Sequence, residues 1–412
     1  MRVQAVMAGL VSAVVGYASS FTVVLAGLRA VGATPGQAAS GLLALCCGIG
    51  AAALFLGLRY RMPISIAWST PGAALLVATG PVSGGFPAAV GAFIVCAGLI
   101  VLAGLSPWPA RAIAAIPRPI AGAMLAGVIL SLCTAPVRAV VDIPLLAVPV
   151  VLTWAVLQRY LRKWAVPGAL VVAIIAIAVH GPSNGLSGAA LRPAVELTTP
   201  TLNPSVVVSI AIPLFLVTMA AQNVPGMAVM ATYGYMPPLR PVLVATGLAS
   251  AAAAPFGGHA VNLAAITAAL TAGPDTHPDP GRRWIATVAL GAGQLTLGLG
   301  AGLAMALVLL SPPVLVTAVA GLALLSALGS SLASAVTEPE GREAAVVTFV
   351  VTASGMTILS IGAAFWGLVA GGLTALLLHR RPPLERRSSS TAEAGAERPE
   401  GRVADMSADQ PS

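Results

Sequence analysis

Ala254-Pro255-Phe256-Gly257-Gly258-His259-Ala260-Val261-Asn262 sets a proline, a glycine pair, an imidazole and a side-chain amide inside apolar sequence. An apolar run flanks it on each side, so it is expected at membrane depth. Pro63-Ile64-Ser65-Ile66-Ala67-Trp68-Ser69-Thr70-Pro71-Gly72 has the same character in the first half of the chain. Each stretch couples a few strand-like residues to a Pro/Gly break and a small-residue helix. The two breaks are expected to face each other and form a substrate site.

Composition demands a membrane. The 412 residues are 58% hydrophobic and 8% charged, with a mean hydropathy of +0.94. Soluble domains carry about 25% charged residues, so the apolar surplus here must face lipid. A transmembrane barrel is excluded, because its strands alternate in roughly ten-residue units and these runs are continuous. The class is an all-α polytopic membrane protein. The net charge of +8 is expected in loops on one membrane face rather than on a nucleic-acid surface. Cys46, Cys47, Cys96 and Cys133 lie in apolar runs without metal-ligand spacing. They are expected to be buried packing residues, and no metal or cofactor is expected. No cleavable signal peptide is expected, since the first apolar run outlasts a signal core.

Spans of about 20 residues are expected near 5–28, 37–58, 64–79, 84–105, 119–135, 143–161 and 165–180. After a polar connector from Gly181 to Pro204, seven more fall near 205–232, 238–253, 255–271, 284–310, 313–333, 343–358 and 360–378. The residues beyond His379 lack periodicity and read as a disordered cytoplasmic tail. Fourteen spans put both termini on one side, with Arg2, Arg59, Arg61, Arg111, Arg118, Arg159, Arg162, Lys163, Arg240, Arg282, Arg283 and Arg342. The other side keeps Arg29, Arg138 and Arg192. That asymmetry places both termini in the cytoplasm. Seven spans per half, an odd number, invert the second half relative to the first. The breaks fall in spans 3 and 10, the third of each half, which points to a secondary transporter built from inverted repeats.

Ser69-Thr70-Pro71-Gly72 reads as a helix start, a hydroxyl N-cap followed by proline. Gly257-Gly258 is likewise expected to end an extended segment and open a half-helix running to about 271. Two half-helix N-termini then meet with unpaired N–H groups and about half a positive charge each, which suits an anion. The extended segments can pair with each other and satisfy their backbones away from lipid.

All 13 acidic residues lie in loops or the tail by this count. His180 and His379 fall at span ends and His277 in a loop, so His259 is the histidine at membrane depth, where an ionisable side chain points to function. Asn262 is expected one helical turn after it, on the same face. In span 8, Gln222 and Asn223 are amides in an apolar helix beside Pro225, either gluing helices together or binding a carboxylate. Span 1 offers Tyr17, Ser19, Ser20, Phe21 and Thr22 around its middle.

Ile64–Gly72, Ala221-Gln222-Asn223-Val224-Pro225-Gly226 and Pro255–Asn262 together resemble the benzoate/proton symporter family, and the resemblance runs to about residue 380. That family is related to the uracil and nucleobase symporters and, more distantly, to the sulfate transporters. The resemblance implies a seven-plus-seven inverted repeat in which spans 3 and 10 each combine an extended segment with a half-helix. A core domain would comprise residues 1–110 and 205–311, a gate domain 111–182 and 312–379, with a connector at 183–204 and a tail at 380–412. Substrate would lie between the half-helices of spans 3 and 10, beside span 8. Nucleobase symporters of this fold carry acidic residues in spans 8 and 10. Gln222 and Gly258 stand at those places here, which favours an anion over a nucleobase.

The expected function is therefore proton symport of benzoate or a related aromatic carboxylate through a bacterial inner membrane. The carboxylate is expected near Ser69, Thr70, Pro71, Gly72, Gly257 and Gly258, with Gln222, Asn223 and Asn262 as polar contacts. Phe21, Trp68 and Phe256 would pack on the ring, and His259 is the proton-coupling candidate. The rival is that the substrate carries the proton as the neutral acid. A channel or facilitated-diffusion pore for small organic anions is the alternative class, and a nucleobase symporter the alternative substrate. Enzyme activity is not expected, since the spans hold no carboxylate pair or nucleophile constellation. The partners expected are the aromatic acid, a proton and the bilayer, without nucleic acid; a homodimer is allowed.

Overall fold

The computed structural model describes residues 2–106, 117–180, 193, 195–264, 266–359 and 361–378. All but Leu378 belong to a compact unit spanning Met1–Leu377. Expectations for the loop at Arg111, most of the connector and the tail lie outside the described residues.

The fold is predominantly helical. In chain order the elements are α1 (Arg2–Ala30), α2 (Pro35–Tyr60), β1 (Ile66–Trp68), α3 (Thr70–Thr79), α4 (Gly85–Leu105), α5 (Arg118–Asp142), α6 (Pro144–Tyr160) and α7 (Ala165–His180). The second half holds α8 (Pro204–Thr232), α9 (Leu239–Ala253), β2 (Val261–Leu263), α10 (Ile266–Ala272), α11 (Trp284–Gly298), α12 (Ala301–Leu310), α13 (Pro313–Val336) and α14 (Arg342–Ala353). A hairpin, β3 (Thr357–Ile358) and β4 (Ile361–Gly362), leads to α15 (Ala363–Leu378).

Every stretch expected as a span contains helix, but not every helix has spanning length. Among the described residues, 8 helices are long and apolar enough to cross a membrane, and α11 with α12, bent by 56°, makes up to 9. The helices α3, α6, α10, α14 and α15 are shorter. Extended segments, expected in spans 3 and 10, and the bend between α11 and α12 leave the helices of those stretches shorter than a full span.

Local chemistry explains several boundaries. Thr34 caps α2 by accepting from Gln37 N–H, Gln37 returns a bond to the Thr34 N–H, and Pro35 follows at the helix start. Gly298 and Gly300 flank the bend between α11 and α12. Within α8, Val207–Ala211 and Met219–Asn223 are wide π turns, a distortion frequent at functional sites.

Small residues let the helices approach closely, the packing mode that works when lipid removes the hydrophobic drive between helices. Cβ atoms added at Gly9 and Gly321 would strike the backbone carbonyls of Ala286 and Leu132, locking α1 to α11 and α13 to α5. The main packing partners are α5 with α13 and α14, α6 with α7, α11 with α1 and α2, and α9 with α2 and α4. Cys46, Cys96 and Cys133 are buried in this packing. Cys47 is exposed, contrary to expectation, because one residue along a helix rotates the side chain by about 100°, off the packed face.

Candidate functional site

The site is built on two short strands. Antiparallel β1 and β2 pair Ile66 with Leu263, Ala67 with Asn262 and Trp68 with Val261. Ser69 N–H donates to Ala260 O at 3.0 Å and Ala264 N–H to Ser65 O at 2.9 Å, extending the ladder at each end. Backbone groups that lipid could not satisfy are thereby paired inside the protein.

α3 leaves this ladder at Ser69. The Ser69 Oγ accepts from Gly72 N–H at 3.1 Å and from Thr218 Oγ1 at 2.9 Å. Pro71 lies in the first turn, where its missing N–H costs nothing. A Cβ on Gly72 would sit 2.7 Å from Ser69 Oγ and run into Leu214, so Gly72 is needed for the approach of α3 to α8.

The second break is arranged differently from expectation. Ala254–Phe256 is a 3-10 turn, Gly257 follows in a left-handed conformation with φ of 95°, and β2 comes after His259. The helix α10 begins only at Ile266. Gly257 and Gly258 therefore do not open a half-helix; the chain needs Ala260–Ala264 extended to pair with β1. Asn262 accordingly sits on β2 opposite Ala67, not one helical turn beyond His259. The Ala254–Phe256 turn packs on α2, α4 and α9, and a Cβ on Gly257 would meet Gln37 O and the Phe86 ring.

His259 is fully buried and its Nε2 lies 3.0 Å from Ser69 O. A carbonyl only accepts, so Nε2 carries the hydrogen. Nδ1 is buried without a partner among the described residues, and the Phe93 ring lies 6.4 Å away, edge-on. Asn223 supports β2: its Oδ1 accepts from Leu263 N–H at 2.9 Å and its Nδ2 reaches Met219 Sδ at 3.3 Å. Ser250 Oγ accepts from Val261 N–H at 2.8 Å. Asn262 donates to Leu263 O at 2.8 Å and its Oδ1 is buried and unpaired.

Between these elements lies a pocket with about 560 Å³ of open volume. Trp68 and Thr70 line it from β1 and α3, Gln222 from the π turn of α8, and Ala264 and Thr267 from the β2–α10 link. Ser12, Gly16, Ser19 and Ser20 of α1 and Leu290 and Gln294 of α11 complete it. No lining residue is charged. Both half-helix starts, Thr70 and Thr267, reach this pocket, the second about ten residues later than Gly257.

Of the expected site residues, Trp68, Thr70 and Gln222 line the pocket. Ser69, Pro71, Gly72, Asn223, His259 and Asn262 build its supports. Gly257, Gly258 and Phe256 lie outside its lining. Phe21 lines a separate, mostly apolar cavity with Leu170, Ile174 and Val319, although Tyr17 joins it to the pocket: the Tyr17 ring stacks on Phe21 at 5.3 Å and meets Trp68 edge-on at 5.7 Å. Gln294 escaped the sequence reading. Its signal was there, an amide inside the apolar run of α11, like Gln222 in α8.

Comparison with known proteins agrees with this architecture. The chain is 39% identical over 374 residues to the inner membrane protein YdcO of Escherichia coli (strain K12), covering 90% of this chain and 95% of that protein. It is 32% identical over 376 residues to the benzoate membrane transport protein of Acinetobacter baylyi (strain ATCC 33305 / BD413 / ADP1), covering 91% and 95%. Its fold resembles the transmembrane domain of the cyanobacterial bicarbonate transporter BicA, with TM-score 0.56 at 15% identity over 90% of this chain and 97% of that one. It also resembles the inward-facing murine anion transporter Slc26a9, with TM-score 0.55 at 13% identity over 91% of this chain and 68% of that one. Residues 1–377 match the family described as benzoate membrane transport protein, BenE, so the chain belongs to that family and is a membrane transporter.

Proposed function

We propose that the chain imports benzoate or a closely related aromatic carboxylate by proton symport through a bacterial inner membrane, with both termini cytoplasmic. The observation that carries this reading is the charge-free pocket where the starts of α3 and α10 converge on Gln222. An anion gains there from helix-start N–H groups and an amide, with no carboxylate to repel it. Trp68, which gives its indole N–H to Ser20 Oγ at 2.9 Å, offers a held aromatic surface; ring contacts contribute about 0.5–1.5 kcal/mol beyond burial. The relative from Acinetobacter baylyi is described as a benzoate transporter, which supports the substrate class.

Coupling in this proposal runs through His259. Its Nδ1 is free to take a proton while Nε2–H stays on Ser69 O, behind the N-cap of α3. A positive ring there and an anion at Thr70 favour each other. Movement would carry a core of α1–α4 and α8–α12 against a gate of α5–α7 and α13–α15. The packing of α5 on α13 and α14, and of α6 on α7, supports that division.

The test is uptake of labelled benzoate into proteoliposomes under an imposed pH gradient. Accumulation above the external concentration, abolished by an uncoupler, is expected. Equilibration without accumulation would instead make the chain a facilitated-diffusion pore.

A further inference from the structure

One wall of the pocket has spent its hydroxyl donors. On α1, Ser12 Oγ donates to Ala8 O at 2.7 Å, and Ser19 and Ser20 both donate to Gly16 O, at 3.0 and 3.2 Å. A hydroxyl has one hydrogen, so these side chains turn only lone pairs toward the space beside them. Gln294, on α11, gives an amide hydrogen to Ala13 O at 3.4 Å, and its Oε1 is buried with no partner among the described residues. Gln294 is 4% exposed and lines the pocket.

The facing wall still has donors to give. The side chains of Thr70, Gln222 and Thr267 make no hydrogen bond among the described residues, which leaves their donors available. Ile49, Ile66 and Leu290 supply apolar sides between the two walls. A bare benzoate answers the donor wall alone and leaves Gln294 Oε1 unpaired.

We infer that the preferred ligand is an aromatic acid bearing a second hydrogen-bond donor on its ring, a hydroxyl or amino group. Its carboxylate lies against Thr70, Gln222 and Thr267, and its ring donor lies on Gln294 Oε1. Gln294 thus selects among aromatic acids. This rests on the aromatic-carboxylate reading above. Pairing a buried acceptor that otherwise stays unsatisfied is expected to improve affinity about tenfold.

The experiment is competition against labelled benzoate, using the full-length chain in proteoliposomes. The competitors are benzoate, 3- and 4-hydroxybenzoate, 3- and 4-aminobenzoate, and the two methoxybenzoates, which fill the same space without a donor. At least one hydroxy or amino acid is expected to compete at about a tenfold lower concentration than benzoate, while its methoxy counterpart does not. Gln294→Met is expected to bring the hydroxy-to-benzoate ratio toward one. Equal or weaker competition by every donor-bearing acid overturns the inference while benzoate transport stands. Should Gln294→Met fold but keep the full preference, the assignment to Gln294 is overturned. If the variant does not fold, the ligand series on the unaltered chain decides by itself. If no aromatic acid competes, the aromatic-carboxylate reading fails and this inference with it.

Discussion

Ser69 joins five partners at the head of α3, one of them the Ala73 N–H, which donates to its carbonyl. Its Oγ binds Gly72 N–H and Thr218, its N–H binds Ala260 O, and its carbonyl binds His259. Ser69→Ala is expected to lower stability by about 0.5–2 kcal/mol through the lost cap, read as a lower thermal midpoint in detergent, and to reduce benzoate uptake. Thr218→Val leaves that cap intact, so a loss as large as that of Ser69→Ala would show that the cap is not what matters. His259→Gln can keep a hydrogen on Ser69 O but cannot titrate. The expectation is that benzoate still binds and that proton-driven accumulation is lost. Accumulation unchanged in His259→Gln would remove His259 from the coupling step and leave the substrate as proton carrier. The placement of Ser69 and His259 at the two breaks was legible in sequence, because a hydroxyl pair before proline and an imidazole among apolar residues are each rare at membrane depth. Which way His259 faces was not, since a ring at a break can turn to either side of the backbone.

At the scale of elements, β2 depends on α8. The Leu263 N–H, buried at the centre of the site, is satisfied by Asn223 Oδ1, and the π turn Met219–Asn223 brings Gln222 and Asn223 to adjacent targets. Asn223→Leu leaves that N–H unpaired, at a cost of about 1–3 kcal/mol. A thermal midpoint unchanged in that variant would show that β2 does not need the support. Sequence pattern marked Gln222 and Asn223 as polar but could not separate their roles, because neighbouring residues on a helix diverge by about 100°. One lines the pocket and the other holds a strand. The same limit explains α10. A Gly-Gly pair is compatible with a helix start and with a left-handed turn, and the choice falls to strand pairing with β1, a partner nearly two hundred residues away.

At the scale of the whole molecule, the arginine distribution predicts topology. In a background lacking the natural cysteines, Arg282→Cys is expected to react with an impermeant thiol reagent only from the cytoplasmic side, and Arg138→Cys only from the outside. Labelling of both from one side would contradict the inverted halves. Close packing predicts a second result: Gly321→Val would force a side chain into the Leu132 carbonyl and is expected to part α13 from α5, seen as loss of folded protein on size-exclusion chromatography. Sequence alone determined that this is a polytopic helical membrane protein with two polar breaks in its apolar runs. The reason is that apolar surplus, arginine asymmetry and intramembrane polar residues are properties of the chain itself, independent of its partners. Tertiary structure decided that the second break runs as turn, strand and then helix, that His259 lies behind the pocket, and that Gln294 lies in it. Those outcomes depend on which distant backbone groups and side chains meet, and the free energy of pairing buried polar groups is set only once they do.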